Sequence, residues 1–169
     1  NGGVYEQLLF NFPFMMHAMD GSGRLNSVNR QWCKTLGYMP SDVIGKSFNE
    51  LLTPQSRSHL ITTIYPKYLQ TGLCRGEEMF VHRKDGTLAT VSLSMNAYRG
   101  DKGRIERSIC LMHDVTDQKI AEIASVRSDQ RFRGAFAAAA HGMALVSPTG
   151  QIELSNAAFG AFLGREDID

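Results

Sequence analysis

A chain of 169 residues has room for one ordinary domain and a remainder, or for two small domains. With 43% hydrophobic and 21% charged residues it has a globular balance, not that of a disordered chain. A formal net charge of +1 supplies no overall field for nucleic acid or anionic lipid. Residues 135–146 are interrupted by His141 and too short to span a bilayer. Residues 1–6 lack the basic and apolar regions of a signal peptide. Cys33, Cys74 and Cys110 are odd in number and form no CxxC pair. That excludes a disulfide scaffold or zinc knuckle and fits reduced thiols in a cytoplasmic domain.

In chain order, residues 3–12 place Val4, Leu8, Leu9 and Phe12 on one helical stripe, which needs a partner face. Asp20-Gly21-Ser22-Gly23 joins runs 14–19 and 24–28 into a hairpin. Asn29 is a good N-cap for a helix over 30–36, with Trp32, Cys33 and Leu36 on one face and Gly37 ending it. Pro40-Ser41-Asp42 opens a short helical turn running to Gly45. Thr53-Pro54 caps a longer helix over 55–70, in which Leu60, Ile61, Ile64, Tyr65 and Tyr68 recur at helical spacing. Pro66 inside that run predicts a kink or break near 62–64.

Turns at Lys84-Asp85-Gly86 and Gly100-Asp101-Lys102-Gly103 then separate three strands over 77–83, 87–97 and 104–115. Ala89, Val91, Leu93, Met95 and Ala97 alternate with polar residues at the strand period of two. In the last strand Ile109, Leu111 and Val115 share one parity and Cys110 and Met112 the other. Such mixed apolarity predicts a central strand covered on both faces. Residues 117–136 are polar and read as a connecting helix.

The end of the chain repeats its beginning. Gly23-Arg24-Leu25-Asn26-Ser27-Val28-Asn29 aligns with Gly150-Gln151-Ile152-Glu153-Leu154-Ser155-Asn156 at an offset of 127. In that register Trp32 falls on Phe159, Leu36 on Leu163 and Gly37 on Gly164.

Two strands, helices, three strands and a polar helix resemble the PAS family of sensory domains. Four stretches carry the resemblance: Met19-Asp20-Gly21-Ser22-Gly23-Arg24-Leu25 leading to Val28-Asn29; Leu36-Gly37-Tyr38 with Val43-Ile44-Gly45-Lys46; Arg83-Lys84-Asp85-Gly86-Thr87; and Asp114-Val115-Thr116-Asp117-Gln118-Lys119. The last is similar to the signature where a PAS core hands over to its output helix. The resemblance implies an α+β fold, with a five-stranded antiparallel sheet, helices over one face and a connecting helix. It divides the chain into a sensory domain over 1–116 that includes the N-terminal helix 3–12, a signalling helix over 117–136, and a truncated second copy over 137–169. It also implies dimerisation through terminal helices and a downstream output domain, a histidine kinase or a diguanylate cyclase or phosphodiesterase.

Chemical motifs are sparse. Gly45-Lys46-Ser47 has the tail of a phosphate loop, but Pro40 stands where its first glycine belongs. Gly21-Ser22-Gly23 ends at Asn26 instead of glycine and precedes a strand, so it reads as a turn. His17, His59, His82, His113 and His141 show no metal-ligand spacing. Glu77 and Glu78 point to opposite faces of a strand and form no acid–base dyad. No nucleophile, base and orienting group occur together, so an enzyme is not expected.

Haem-binding PAS relatives ligate iron with a histidine on the long helix. His59 sits too near the start of that helix for this role, so haem is not expected. Flavin is not expected either: Asn-Cys-Arg-Phe is absent, and Cys33 beside Trp32 reads as core. The ligand, if there is one, is not named by the sequence. Its candidate lining is Trp32, Leu36, Met39, Phe48, Leu51, Ile61, Ile64, Tyr65, Met79, Val81, Val91, Leu93, Ile109 and Leu111. The same residues could instead fill a close-packed core. Asp114 and Thr116 are the expected coupling pair, with Thr116 capping the connecting helix. The expected function is a sensory module that binds a small ligand or partner and relays the signal through its C-terminal helix. The alternative is a ligand-free dimerisation and spacer module.

Overall fold

The computed structural model describes residues 11–164. The expected helix over 3–12, with Val4, Leu8 and Leu9, lies largely outside the described residues. Two compact units divide the chain, residues 1–119 and 120–169.

The first unit is built on one antiparallel sheet. Its strands are β1 (Met15–Asp20), β2 (Leu25–Val28), β3 (Leu73–His82), β4 (Leu88–Arg99) and β5 (Ile105–Asp114), in the spatial order β2-β1-β5-β4-β3. Between β2 and β3 come α1 (Arg30–Leu36), α2 (Pro40–Val43), a 3-10 turn (Phe48–Leu51), α3 (Pro54–His59), a π-helical turn (Leu60–Ile64) and α4 (Tyr65–Thr71). The α+β class and five-stranded sheet are those expected.

The Asn29 side chain ties the hairpin to α1. Its Oδ1 accepts from the Trp32 N–H (2.9 Å) and the Met16 N–H (3.0 Å), while its Nδ2 donates to the Phe14 carbonyl (2.8 Å). Gly37 closes α1 at φ 78°, the left-handed conformation that a Cβ disfavours.

Pro66 has the predicted effect through a specific geometry. The long helix is interrupted by the π-helical turn, closed by the Tyr65 N–H donating to the Leu60 carbonyl. Proline in the second position of α4 cannot donate back to the preceding turn, and a single wide turn absorbs the mismatch. The sheet begins earlier than expected, at Leu73, because a bulge between Cys74 and Glu77 masks the alternation. Gly76 carries it at φ 66°.

One face of the sheet forms the core. Met15 and Met19 of β1, Val91, Leu93 and Met95 of β4, and Cys110 and Met112 of β5 pack with Leu25, Trp32, Leu36, Phe48, Leu60 and Ile64. Burying side chains of this size contributes roughly 1.5–3 kcal/mol each.

The second unit contains the rest of α5 (Thr116–Ala138), which begins in the first. It continues through β6 (Ala144–Val146), β7 (Ile152–Ser155) and α6 (Ala157–Phe162). β6 and β7 form a two-stranded antiparallel sheet. Its pairs Ala144↔Ser155, Leu145↔Leu154 and Val146↔Ile152 reproduce His17↔Val28, Ala18↔Ser27 and Met19↔Leu25 at the offset of 127, bulge included. Asn156 repeats Asn29 bond for bond: Oδ1 accepts from the Met143 and Phe159 N–H groups, and Nδ2 donates to the His141 carbonyl.

Candidate functional site

β1, β5 and α4 enclose a cleft of about 140 Å³ lined by Met19, Tyr65, Tyr68, Leu69, Ile105 and Ser108 and by the 20–23 turn. The turn is shaped by Asp20, whose Oδ1 accepts from the Ser22 N–H (2.9 Å), the Ser22 hydroxyl (2.6 Å) and the Arg24 N–H (3.0 Å). Gly21 lets it approach β5: a Cβ there would meet the Ile105 carbonyl oxygen at 2.5 Å.

Inside the cleft the Tyr68 hydroxyl donates to Ser108 Oγ at 2.7 Å. Burial pushes the Tyr68 phenol up and Tyr65 up to about 12, and it raises the Cys110 thiol as well. All three are neutral at physiological pH, and the charge on the cleft wall is the Asp20 carboxylate, held below its ordinary range by its bonds to Ser22 and Arg24. Ser108 faces Met19 across the β1–β5 ladder, and Cys110 faces His17.

At the far end of β5 a polar joint links the sheet to α5. Asp114 Oδ1 accepts from the Thr116 N–H (3.0 Å) and hydroxyl (2.5 Å), and Oδ2 accepts from Arg83 Nη2 (2.9 Å). Arg83 Nη1 also donates to the Leu88 carbonyl, and Thr116 Oγ1 accepts from the Thr90 N–H, so as the first residue of α5 Thr116 ties the helix to β4 with its hydroxyl where a helix cap was expected. Partial burial pushes the Asp114 carboxyl up, but Thr116 and Arg83 outweigh it and hold the group below its ordinary range. Lys119 Nζ reaches Glu78 at 2.8 Å, one turn further along α5. Two sequence-distant segments thus meet at the start of the helix: the β3–β4 hairpin, through Glu78, Arg83 and Thr90, and the β5–α5 junction, through Asp114, Thr116 and Lys119.

A comparison with protein-family models matches residues 4–115 to the PAS fold. The chain belongs to the PAS family. Among solved structures it is similar to the PAS domain of an HTR-like protein from Haloarcula marismortui, at 25% identity and TM-score 0.52, over 67% of this chain and 90% of that one. It is also similar to a PAS domain from Colwellia psychrerythraea, at 16% identity and TM-score 0.63, over 68% and 97%. A third is Drosophila melanogaster Cycle PAS-B with bound ethylene glycol, at 15% identity and TM-score 0.55, over 59% and 98%. No curated protein matches the chain. PAS domains are sensory and signalling modules, and the PAS region of this chain carries that general role.

The PAS core places most of the expected lining together. Trp32, Leu36, Phe48, Leu51, Ile64, Met79, Val81, Val91 and Leu93 are buried, and Tyr65 is partly buried against them. Four expected residues face away. Ile109 and Leu111 lie on the outer face of β5 (48% and 39% exposed), because the register turns Ser108, Cys110 and Met112 inward. The apolar parity chosen from the sequence was therefore the outer one. Ile61 is half exposed because the wide turn directs Leu60 and Ile64 to the core instead. Met39 is 62% exposed as the N-cap residue of α2.

His59 is likewise on the surface, with Nε2 3.6 Å from Glu77 Oε2. Among the described residues no group of three or more His, Cys, Asp or Glu could hold a metal ion, and no helix is long and apolar enough to cross a membrane. Sequence reasoning missed His17, Tyr68 and Ser108. The signal was available for His17: in Met15-Met16-His17-Ala18-Met19 it shares the parity of the two buried methionines.

Proposed function

We propose that the PAS unit is a sensory module that takes a small ligand between its sheet and helices and passes the change through Asp114 and Thr116 into α5. The observation that carries this reading is the Asp114–Thr116–Arg83 joint, which ties the last core strand to the connecting helix. Through that joint a rearrangement of β5 would reach the first turn of α5. The cleft beside Ser108 supplies a place for the input, and Cycle PAS-B with its ethylene glycol supplies a precedent in the same fold.

The recipient is a downstream output domain, a histidine kinase or a diguanylate cyclase or phosphodiesterase. The chain itself is a non-catalytic cytoplasmic fragment of a tandem array, dimeric through its terminal helices. The matching registers and Asn networks support the reading of residues 137–169 as the beginning of a second PAS copy. Native mass spectrometry of the purified chain tests the sensory reading: a retained small molecule is expected, without a haem or flavin absorbance band. The close-packed core favours a second reading, a ligand-free dimerisation and spacer module. A chain that retains nothing and is a dimer by light scattering would establish that reading in place of the first.

A further inference from the structure

The geometry points to His17 and Trp32 as the recognition pair for a small uncharged hydrogen-bonding ligand held between β1, α1 and the 3-10 turn. This rests on the ligand-sensing reading and names its polar contacts.

His17 is 2% exposed and Trp32 fully buried, yet neither His17 ring nitrogen nor Trp32 Nε1 has a hydrogen-bond partner among the described residues. Nearly all buried polar side-chain atoms in folded proteins are paired, so three orphans on two neighbouring rings call for an occupant. The His17 ring stacks on Phe48 at 4.7 Å and 27° and turns toward Trp32, 6.4 Å away between ring centroids. Asn49, next to Phe48, keeps a further unpartnered oxygen. The hairpin itself needs no ring here, since the equivalent position in β6 is Ala144.

Chemistry limits the occupant. A neutral imidazole offers one donor and one acceptor, and the indole offers a donor only. Among the described residues of the PAS core none that is buried is Asp, Glu, Lys or Arg, so no buried charge there balances a charged ligand. The fitting ligand is therefore neutral and both accepts and donates, as a hydroxyl or amide does. Met19, which lines the cleft, is on the same face of β1 as His17, roughly 7 Å along the strand.

The chain has one tryptophan, so its indole N–H resonance is unambiguous. Ethylene glycol serves as probe in a titration followed by ¹⁵N NMR of the indole and imidazole nitrogens. The expected result is that Trp32 and His17 signals shift together and saturate, and that His17→Phe weakens binding at least tenfold with the amide spectrum still dispersed. Phenylalanine keeps an aromatic ring against Phe48 and removes both nitrogens. Should that variant fail to fold, the imidazole shifts of the wild-type chain decide alone. Saturation at the cleft amides with both rings silent, or equal binding by His17→Phe, would overturn the inference and leave ligand sensing standing. No saturation anywhere would overturn it, and no retained molecule by mass spectrometry would remove ligand sensing as well.

Discussion

The hairpin β1–β2 with α1 and the hairpin β6–β7 with α6 share a backbone and differ in what covers them. Both have the same ladder register, the same bulge and the same asparagine bonds. Met19, Leu25 and Leu36 are at most 2% exposed, whereas their counterparts Val146, Ile152 and Leu163 are 53%, 49% and 49% exposed. Turn glycine, asparagine cap and strand alternation are local instructions, and they act wherever they occur. A core is not local. In the first unit it needs the strands β3 to β5 and the helices before them, which arrive up to a hundred residues later.

Substitutions at paired positions sharpen this contrast. Trp32→Ala is expected to cost the PAS unit about 3–5 kcal/mol, the range for a fully buried large aromatic. Phe159→Ala should change the same transition by less than about 0.5 kcal/mol. Urea unfolding followed by circular dichroism measures both. Equal losses would mean that the second hairpin shares the core of the first.

Asn29→Ala comes next. It strips partners from the Met16 and Trp32 N–H groups and the Phe14 carbonyl, and about 2–3 kcal/mol is expected from leaving such groups unpaired. Asn156→Ala should leave the unfolding midpoint of the PAS unit in place. A peptide over residues 137–169 should show no cooperative transition, being below the ~40 residues usually needed without staples.

Acid separates the hairpins too. Burial lowers the His17 imidazole from 6.5 to about 3. Below pH 6.5 the unfolded chain takes up a proton that the native ring refuses, so stability falls as pH drops from 6.5 toward 3. The slope has an upper limit of about 1.4 kcal/mol per pH unit. His17→Phe should flatten this part of the profile, and Ala144 offers no equivalent. Unfolding midpoints measured at intervals from pH 7 to pH 4 give the answer, and an unchanged slope in His17→Phe would contradict it.

The smallest expected effect is at the joint. Asp114→Ala should cost about 1 kcal/mol, because both partners of the Arg83 pair are partly exposed. Asp114 is held below its ordinary range, so its contribution is present near neutrality and lost as pH falls through the depressed value.

Much of this architecture was legible because short signals specify it. Asn29, Gly37, Thr53-Pro54 and the alternation over 89–97 each mark a local event that the structure repeats. Pro66 announced a break, although not that one wide turn would replace it and rotate Ile61 outward. β5 was misread for a different reason: both of its faces carry apolar residues, so periodicity alone cannot say which is inward, and cross-strand pairing decides. The cleft was harder still. Tyr68 and Ser108 are forty residues apart, and only the sheet order brings them within hydrogen-bond reach.

Amide hydrogen exchange on the intact chain, wild type against Asp114→Ala, tests most directly whether the joint couples the PAS core to α5. The account predicts faster exchange over 117–123, with residues 89–95 of the core unchanged. Identical rates along the helix, or a uniform increase that includes the core, would contradict it.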